Sequence, residues 1–197
     1  MERRNFIKQT AITTSSLLIM HDLFAKPQSK AYGHNNMTYT LDTSWFKANS
    51  AQLPVKDCHE MVQDSKGRII LLTNETKNNI LIFNKDGKVL DNWGHSFPGG
   101  HGLSLHNENG TEFLYITDTS KHQVYKTTMD GKVLLTINAP MDAGIYSKPE
   151  EFVPTETVID KNGDIFIADG YGAQYILHYD RKGKLIKYFG GRGEGDA

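Results

Sequence analysis

One tripeptide turn, met three times in register, constrains this chain more than any other feature. Asp86-Gly87-Lys88, Asp130-Gly131-Lys132 and Lys182-Gly183-Lys184 stand with their glycines 44 and 52 residues apart. The same order of segments surrounds each turn. The first copy runs from His59 to Thr73 and from Asn79 to Leu90, ending at Trp93-Gly94. The second takes His101 to Leu105, Phe113 to Asp118, Gln123 to Lys126 and Asp130 to Leu135. The third takes Thr155 to Asp169, Tyr175 to Tyr179 and Lys182 to Ile186, ending at Phe189-Gly190. Each copy holds four short runs of β-branched, aromatic and aliphatic residues separated by turn residues. Glycine adopts positive φ at no steric cost, so the recurrent turn is expected to join the third and fourth strands of each unit. A repeat of about 40–50 residues with four strands apiece is the spacing of a β-propeller blade. The expected fold is therefore all-β, a propeller of four-stranded blades.

Three blades do not close a ring, and an open ring leaves blade faces and a sheet edge uncovered. The sequence is thus expected to be the N-terminal part of a longer propeller, about three blades of six, or to be completed by another chain. Three regions are expected: 1–31 as export signal and linker, 32–54 as a lead-in, and 55–197 as the blades. Within the lead-in, Met37 to Lys47 reads as an outer strand that a closing blade would take up. The signal is carried by Arg3-Arg4-Asn5-Phe6-Ile7-Lys8 followed by the apolar run Gln9–Met20, the pattern of a twin-arginine export signal. That run is far shorter than the roughly 20 residues needed to span a bilayer. The expected location is periplasmic or extracellular, with no membrane span. Acids and bases nearly cancel, at 23 against 22, which argues against a nucleic-acid surface. The single Cys58 forms no disulfide within the chain.

The alignment of the copies puts His59, His101 and Thr155 at one equivalent position, near the start of the first strand. First strands line the channel of a propeller, so two imidazoles of neighbouring blades would converge at one mouth. Neutral imidazole ligates Zn²⁺, Cu²⁺ and Fe²⁺. A histidine at a strand end equally caps it by hydrogen bonding to a backbone carbonyl, and the residues alone leave both readings open. His106 stands where the other copies have Asp64 and Asp160, and reads as a solvated turn residue. His95 lies in a loop that could face the same mouth, whereas His122 and His178 fall away from the channel. Cys58 and His59, adjacent on an extended chain, point to opposite faces, so a shared copper site is disfavoured and Cys58 reads as a small buried apolar residue.

The segments His101-Gly-Leu-Ser, Ile116 to Val124, Val153-Pro-Thr155 and Ile167-Ala-Asp-Gly-Tyr171 resemble NHL-repeat propellers. Among these they resemble most the peptidyl-α-hydroxyglycine α-amidating lyases, over roughly residues 55–197. The resemblance implies a zinc-dependent carbon–nitrogen lyase acting on a small-molecule or peptide substrate. It implies His101 as a zinc ligand, Tyr171 as the catalytic tyrosine, and the carbonyls of Met61 and Leu103 as holders of a structural Ca²⁺. The family's other two zinc histidines would lie in later blades, beyond Ala197. His59 is an additional histidine on this side of the ring and a further candidate metal ligand. The sequence departs from the family at Asn74, where the lyases carry an active-site arginine. The alternative is a non-enzymatic NHL propeller that binds a protein, peptide or glycan on its channel face.

Overall fold

The computed structural model describes residues 31–193 and divides into two compact units, Met1–Ser44 and Trp45–Ala197. The twin-arginine segment lies outside the described residues, as do the last four residues of the chain. Within the first unit, β1 (Ala31–His34) and β2 (Met37–Thr40) form an antiparallel hairpin whose residues are all exposed.

The second unit holds three four-stranded antiparallel sheets, each a meander in chain order. The first comprises β3 (Glu60–Gln63), β4 (Ile69–Leu72), β5 (Ile80–Phe83) and β6 (Val89–Trp93). The second comprises β7 (Gly100–Glu108), β8 (Thr111–Asp118), β9 (Gln123–Thr128) and β10 (Val133–Ile137). The third comprises β11 (Glu156–Ile159), β12 (Ile165–Ala168), β13 (Tyr175–Tyr179) and β14 (Leu185–Gly190). The recurrent turn does join the third and fourth strands. Gly87, Gly131 and Gly183 have φ of 79°, 91° and 81°, and their amides donate to the carbonyls of Asn84, Thr128 and Asp180. In every copy the fourth strand then carries a register shift, the bulge that follows a three-residue hairpin loop.

The core lies between sheets rather than within one. Ile70, Leu72, Ile80 and Ile82 of the first blade pack on Leu103, Leu114, Ile116 and Tyr125 of the second. Tyr115, Val124 and Ile137 of the second blade pack on Ile165, Ile167, Leu177 and Tyr179 of the third. These contacts follow from the period of two along each strand, which directs alternate residues to the preceding and the following blade.

Three readings of the sequence are corrected. Met37–Lys47 is not one strand: Met37–Thr40 pairs with Ala31–His34, and Trp45 and Phe46 pack instead on Phe83 of the first blade, at 5.5 and 5.4 Å between ring centroids. His106 is not a turn residue. The first hairpin of the second blade runs on to Asn109-Gly110, so His106 lies within β7 opposite Phe113. Cys58 is exposed, not buried, because the chain becomes a strand only at Glu60.

Candidate functional site

Each first strand is the edge of its sheet, and β7 lies against both β3 and β11. Their N-terminal ends therefore meet at one place, together with the loops that join second to third strands. The site grows from a bulge in β7. Gly100 pairs with Asp118 and Leu103 with Ile116, so His101 and Gly102 together oppose Thr117 alone. The extra residue turns the His101 side chain out of the ladder and towards the third blade. Gly102 permits that approach, since a Cβ there would lie 2.5 Å from the Thr155 carbonyl oxygen.

That carbonyl organises the site. His101 Nδ1 lies 2.9 Å from it, and the buried Thr117 hydroxyl donates to it at 3.1 Å while accepting from Gly102 N at 2.6 Å. A carbonyl oxygen only accepts, so Nδ1 carries the proton and Nε2 keeps its lone pair. The Tyr171 hydroxyl donates to that lone pair at 3.0 Å, its ring standing edge-on to the imidazole. His59 stacks on the other side of His101, with ring centroids 4.1 Å apart and planes 25° from parallel. Among the described residues no hydrogen bond holds the His59 ring.

Tyr171 is 65% exposed and sits on the loop joining β12 to β13. The loop is fixed from below by the buried Asp169 carboxylate. Asp169 accepts from Val153 N (2.7 Å), Ala173 N (2.6 Å) and the Tyr146 hydroxyl (2.8 Å). Burial, and then this carboxylate, push the Tyr146 phenol well above its ordinary range. Thr73 and Asp118 stand at the equivalent position in the other blades, both fully buried.

Two carboxylates complete the cluster. Glu60 and Glu156 flank Gly102 in the register of the three first strands. The Glu60 carboxyl is held above its ordinary value by burial first and by Glu156 second, with which it shares a hydrogen bond; the imidazoles of His101 and His59 act in the opposite sense. Glu156 is itself tied down, accepting from Thr157 N at 2.8 Å and Ser104 Oγ at 3.2 Å. Sequence reasoning passed over this pair. The signal was there, because Glu60, Gly102 and Glu156 directly follow the three aligned residues His59, His101 and Thr155.

The remaining predicted positions fall as follows. Met61 and Leu103 lie on the edge strands β3 and β7, with the Met61 side chain 57% exposed and that of Leu103 2% exposed. Asn74 lies past the end of β4, its amide donating to Asp57 at 2.9 Å while its buried Oδ1 has no partner among the described residues. His95 lies at the same end of the sheets, its Nδ1 2.9 Å from the Thr76 carbonyl. His122 and His178 are engaged elsewhere, by the Phe152 carbonyl and by Asp164. Among the described residues, no group of three or more His, Cys, Asp or Glu is placed to hold a metal ion.

A polar cleft of about 560 Å³ opens beside Tyr171, bordered by Lys148, Glu150, Glu151 and Arg192. A smaller, apolar one of about 310 Å³ lies beside His59, between Trp45, Phe46, Val55 and Met61.

The chain is 39% identical over 110 residues to peptidyl-alpha-hydroxyglycine alpha-amidating lyase 1 of Drosophila melanogaster, which covers 53% of this chain and 19% of that protein. It is 35% identical to a probable lyase of the same name from Caenorhabditis elegans, over 59% of this chain and 32% of that one. It is 27% identical to human NHL repeat-containing protein 3, over 68% and 40%. The chain thus spans well under half the length of these curated relatives. No protein-family model matches it. Among solved structures it resembles a streptogramin B lyase (TM-score 0.53, 13% identity) and the virginiamycin B lyase of Staphylococcus aureus (TM-score 0.51, 16% identity), covering 40% of each. At such identity these two bear on the fold alone.

Proposed function

We propose that this chain, three blades of an NHL-repeat β-propeller with α-amidating lyases among its relatives, contributes one wall of a metal-dependent lyase centre and is exported by the twin-arginine route. The observation that carries the reading is the relay from the Thr155 carbonyl through His101 to Tyr171. A histidine bound to a metal through Nε2 ordinarily donates Nδ1–H to a carbonyl or carboxylate, which fixes its ring and tautomer. His101 has that arrangement.

The donor set fits a zinc site in kind and falls short in number. Imidazole is the right ligand, but catalytic zinc takes three protein ligands, and only His101 and His59 are at hand here. On this reading His101 would hold the metal, His59 would turn from its stack to join it, and the remaining ligands would come from further blades. The carbonyls of Met61 and Leu103, on neighbouring edge strands, would take the structural Ca²⁺. Zinc, when bound, supplies Lewis acidity towards a substrate hydroxyl or carbonyl oxygen.

The residues of this chain then have distinct tasks. Tyr171, exposed and at hydrogen-bond distance from His101, is placed to take the proton of a substrate hydroxyl, such as that of a carbinolamide. Its hydroxyl would leave His101 Nε2 when that lone pair is engaged, freeing it to face substrate. Asp169 keeps the loop beneath it rigid. Glu60 and Glu156 hold one proton between them at the channel edge of the site.

The test uses the full-length protein, assayed for bound zinc and for cleavage of a model α-hydroxyglycine amide. His101→Ala is expected to lose zinc, and Tyr171→Phe to keep zinc while losing about 10²–10⁴-fold in turnover, the usual worth of a positioned proton-transfer group. Unchanged turnover in Tyr171→Phe would overturn the assignment. A second reading, a propeller that binds protein, peptide or glycan, is favoured by the match to NHL repeat-containing protein 3, which covers more of the chain than either lyase does. Full-length protein that binds no zinc and turns over no substrate would support it.

A further inference from the structure

The cleft on the open side of Tyr171 carries charges that the relay to His101 does not use. Glu151 is occupied, its carboxylate accepting from Ser147 N at 2.7 Å. Lys148 and Arg192 are both exposed, and among the described residues neither forms an ion pair. Two cations thus border a cleft whose wall is the exposed face of the proposed proton-transfer group.

Arg192 reaches this place by a specific backbone path. Gly190 and Gly191 have φ of 86° and 113°, two successive residues in a region that side chains disfavour. They turn the chain back over the Tyr171 loop, where Gly191 N donates to the Gln174 carbonyl at 2.9 Å and Arg192 Nη2 to the Gly172 carbonyl at 3.1 Å. The latch itself belongs to the blade architecture. In the first blade the Thr76 carbonyl is equivalent to that of Gly172, and there it faces the His95 imidazole. The third blade differs in the group that does the latching. An imidazole has one N–H to give in its neutral form, whereas a guanidinium has five in a planar fork, only one of which the latch consumes.

We infer that this cleft is a carboxylate subsite of the Tyr171 centre, with Arg192 as its principal ligand and Lys148 as its second cation. The ligand class is a small acid whose carboxylate lies one or two bonds from an amide or hydroxyl, so that the carboxylate meets the guanidinium fork while the polar group meets Tyr171. The assignment rests on the lyase reading for the chemistry at Tyr171, but anion binding in the cleft can be measured without turnover or metal.

Hippurate, an amide-linked carboxylate that carries no leaving hydroxyl, is the probe, and uncharged hippuramide is its control. Both are titrated by calorimetry into the full chain at low salt, treated with chelator. Hippurate is expected to bind and hippuramide to bind at least about tenfold more weakly, since a charge-assisted bidentate contact is lost. Arg192→Gln, which retains a donor for the Gly172 carbonyl, is expected to weaken hippurate by about tenfold and leave hippuramide unchanged. Lys148→Met, a change at an exposed position outside the latch, is expected to weaken hippurate by a few fold through lost charge alone. Equal binding of hippurate and hippuramide to the unmodified chain would overturn the inference, as would undiminished hippurate binding in Arg192→Gln. Failure of the lyase reading is distinguishable: the full-length protein then shows no turnover while hippurate binding persists.

Discussion

At the scale of single residues, the site depends on which nitrogen of His101 holds the proton, and the protein sets this with a backbone group. The Thr155 carbonyl cannot exchange roles with its donors, so it enforces one tautomer irrespective of what later meets Nε2. Glu60 lends itself to a pH test. Its carboxyl is raised in the folded chain by burial, with Glu156 adding to the effect. Above the ordinary carboxylate value the unfolded chain releases a proton that the folded chain retains. The stability linked to Glu60 is thus fully present below that value and is lost as pH rises through the raised one. Glu60→Gln is expected to flatten the fall of stability between mildly acidic and neutral pH, read as urea midpoints across that range. A fall as steep as in the unmodified chain would mean that another group is responsible.

At the scale of elements, the bulge in β7 makes a strand into a site. Gly102 is where its packing is tightest, because a Cβ there would stand 2.5 Å from the Thr155 carbonyl and 2.9 Å from both Glu156 Oε1 and Thr117 Oγ1. Gly102→Ala is expected to cost about 1–3 kcal/mol, the usual penalty of overpacking. It should also push β11 away from His101. Urea unfolding measures the first effect, and loss of the slowly exchanging His101 Nδ1–H proton signal reports the second. The number, order and turn chemistry of the strands were legible in the sequence, since hairpin turns and a period of two are local properties. The bulge was not legible, because it depends on pairing with a partner strand. For the same reason His106 was misread: the extra residue pairs of the second blade's first hairpin appear only when β7 and β8 are laid side by side. Cys58 was misread because an isolated thiol carries no signal of which side of a strand end it will meet.

At the scale of the whole molecule, the stabilising contacts run between neighbouring blades, as expected of a stack in which each repeat touches only the next. Met61, Leu103 and Thr157 occupy one register position directed at the preceding blade. Leu103 and Thr157 are buried, each at 2% exposure, whereas Met61 is 57% exposed. Val158 is the corresponding case on the other side, directed at the following blade and 63% exposed. Leu103→Ala is therefore expected to cost about 2–5 kcal/mol of stability, as large-to-small changes in a core do. Met61→Ala should cost less than about 1 kcal/mol in this chain, since an exposed side chain leaves little cavity. Chemical denaturation of the two variants compares them directly, and equal losses would contradict the inter-blade account.

The repeat that opened the reading, with its Asp-Gly-Lys or Lys-Gly-Lys turn at Gly87, Gly131 and Gly183, was determined by the sequence alone. So were the all-β class, the four-strand unit, and the register that pairs His59 with His101. Each of these rests on local chemistry: positive φ at glycine, alternation along a strand, and recurrence at a fixed spacing. The tertiary structure decided what surrounds the register. It brought Tyr171 to His101 across 70 residues of chain, set a carboxylate pair on either side of Gly102, and folded Arg192 back onto the Tyr171 loop. These are contacts between blades or between loops remote in sequence, and no periodicity within a single strand encodes them.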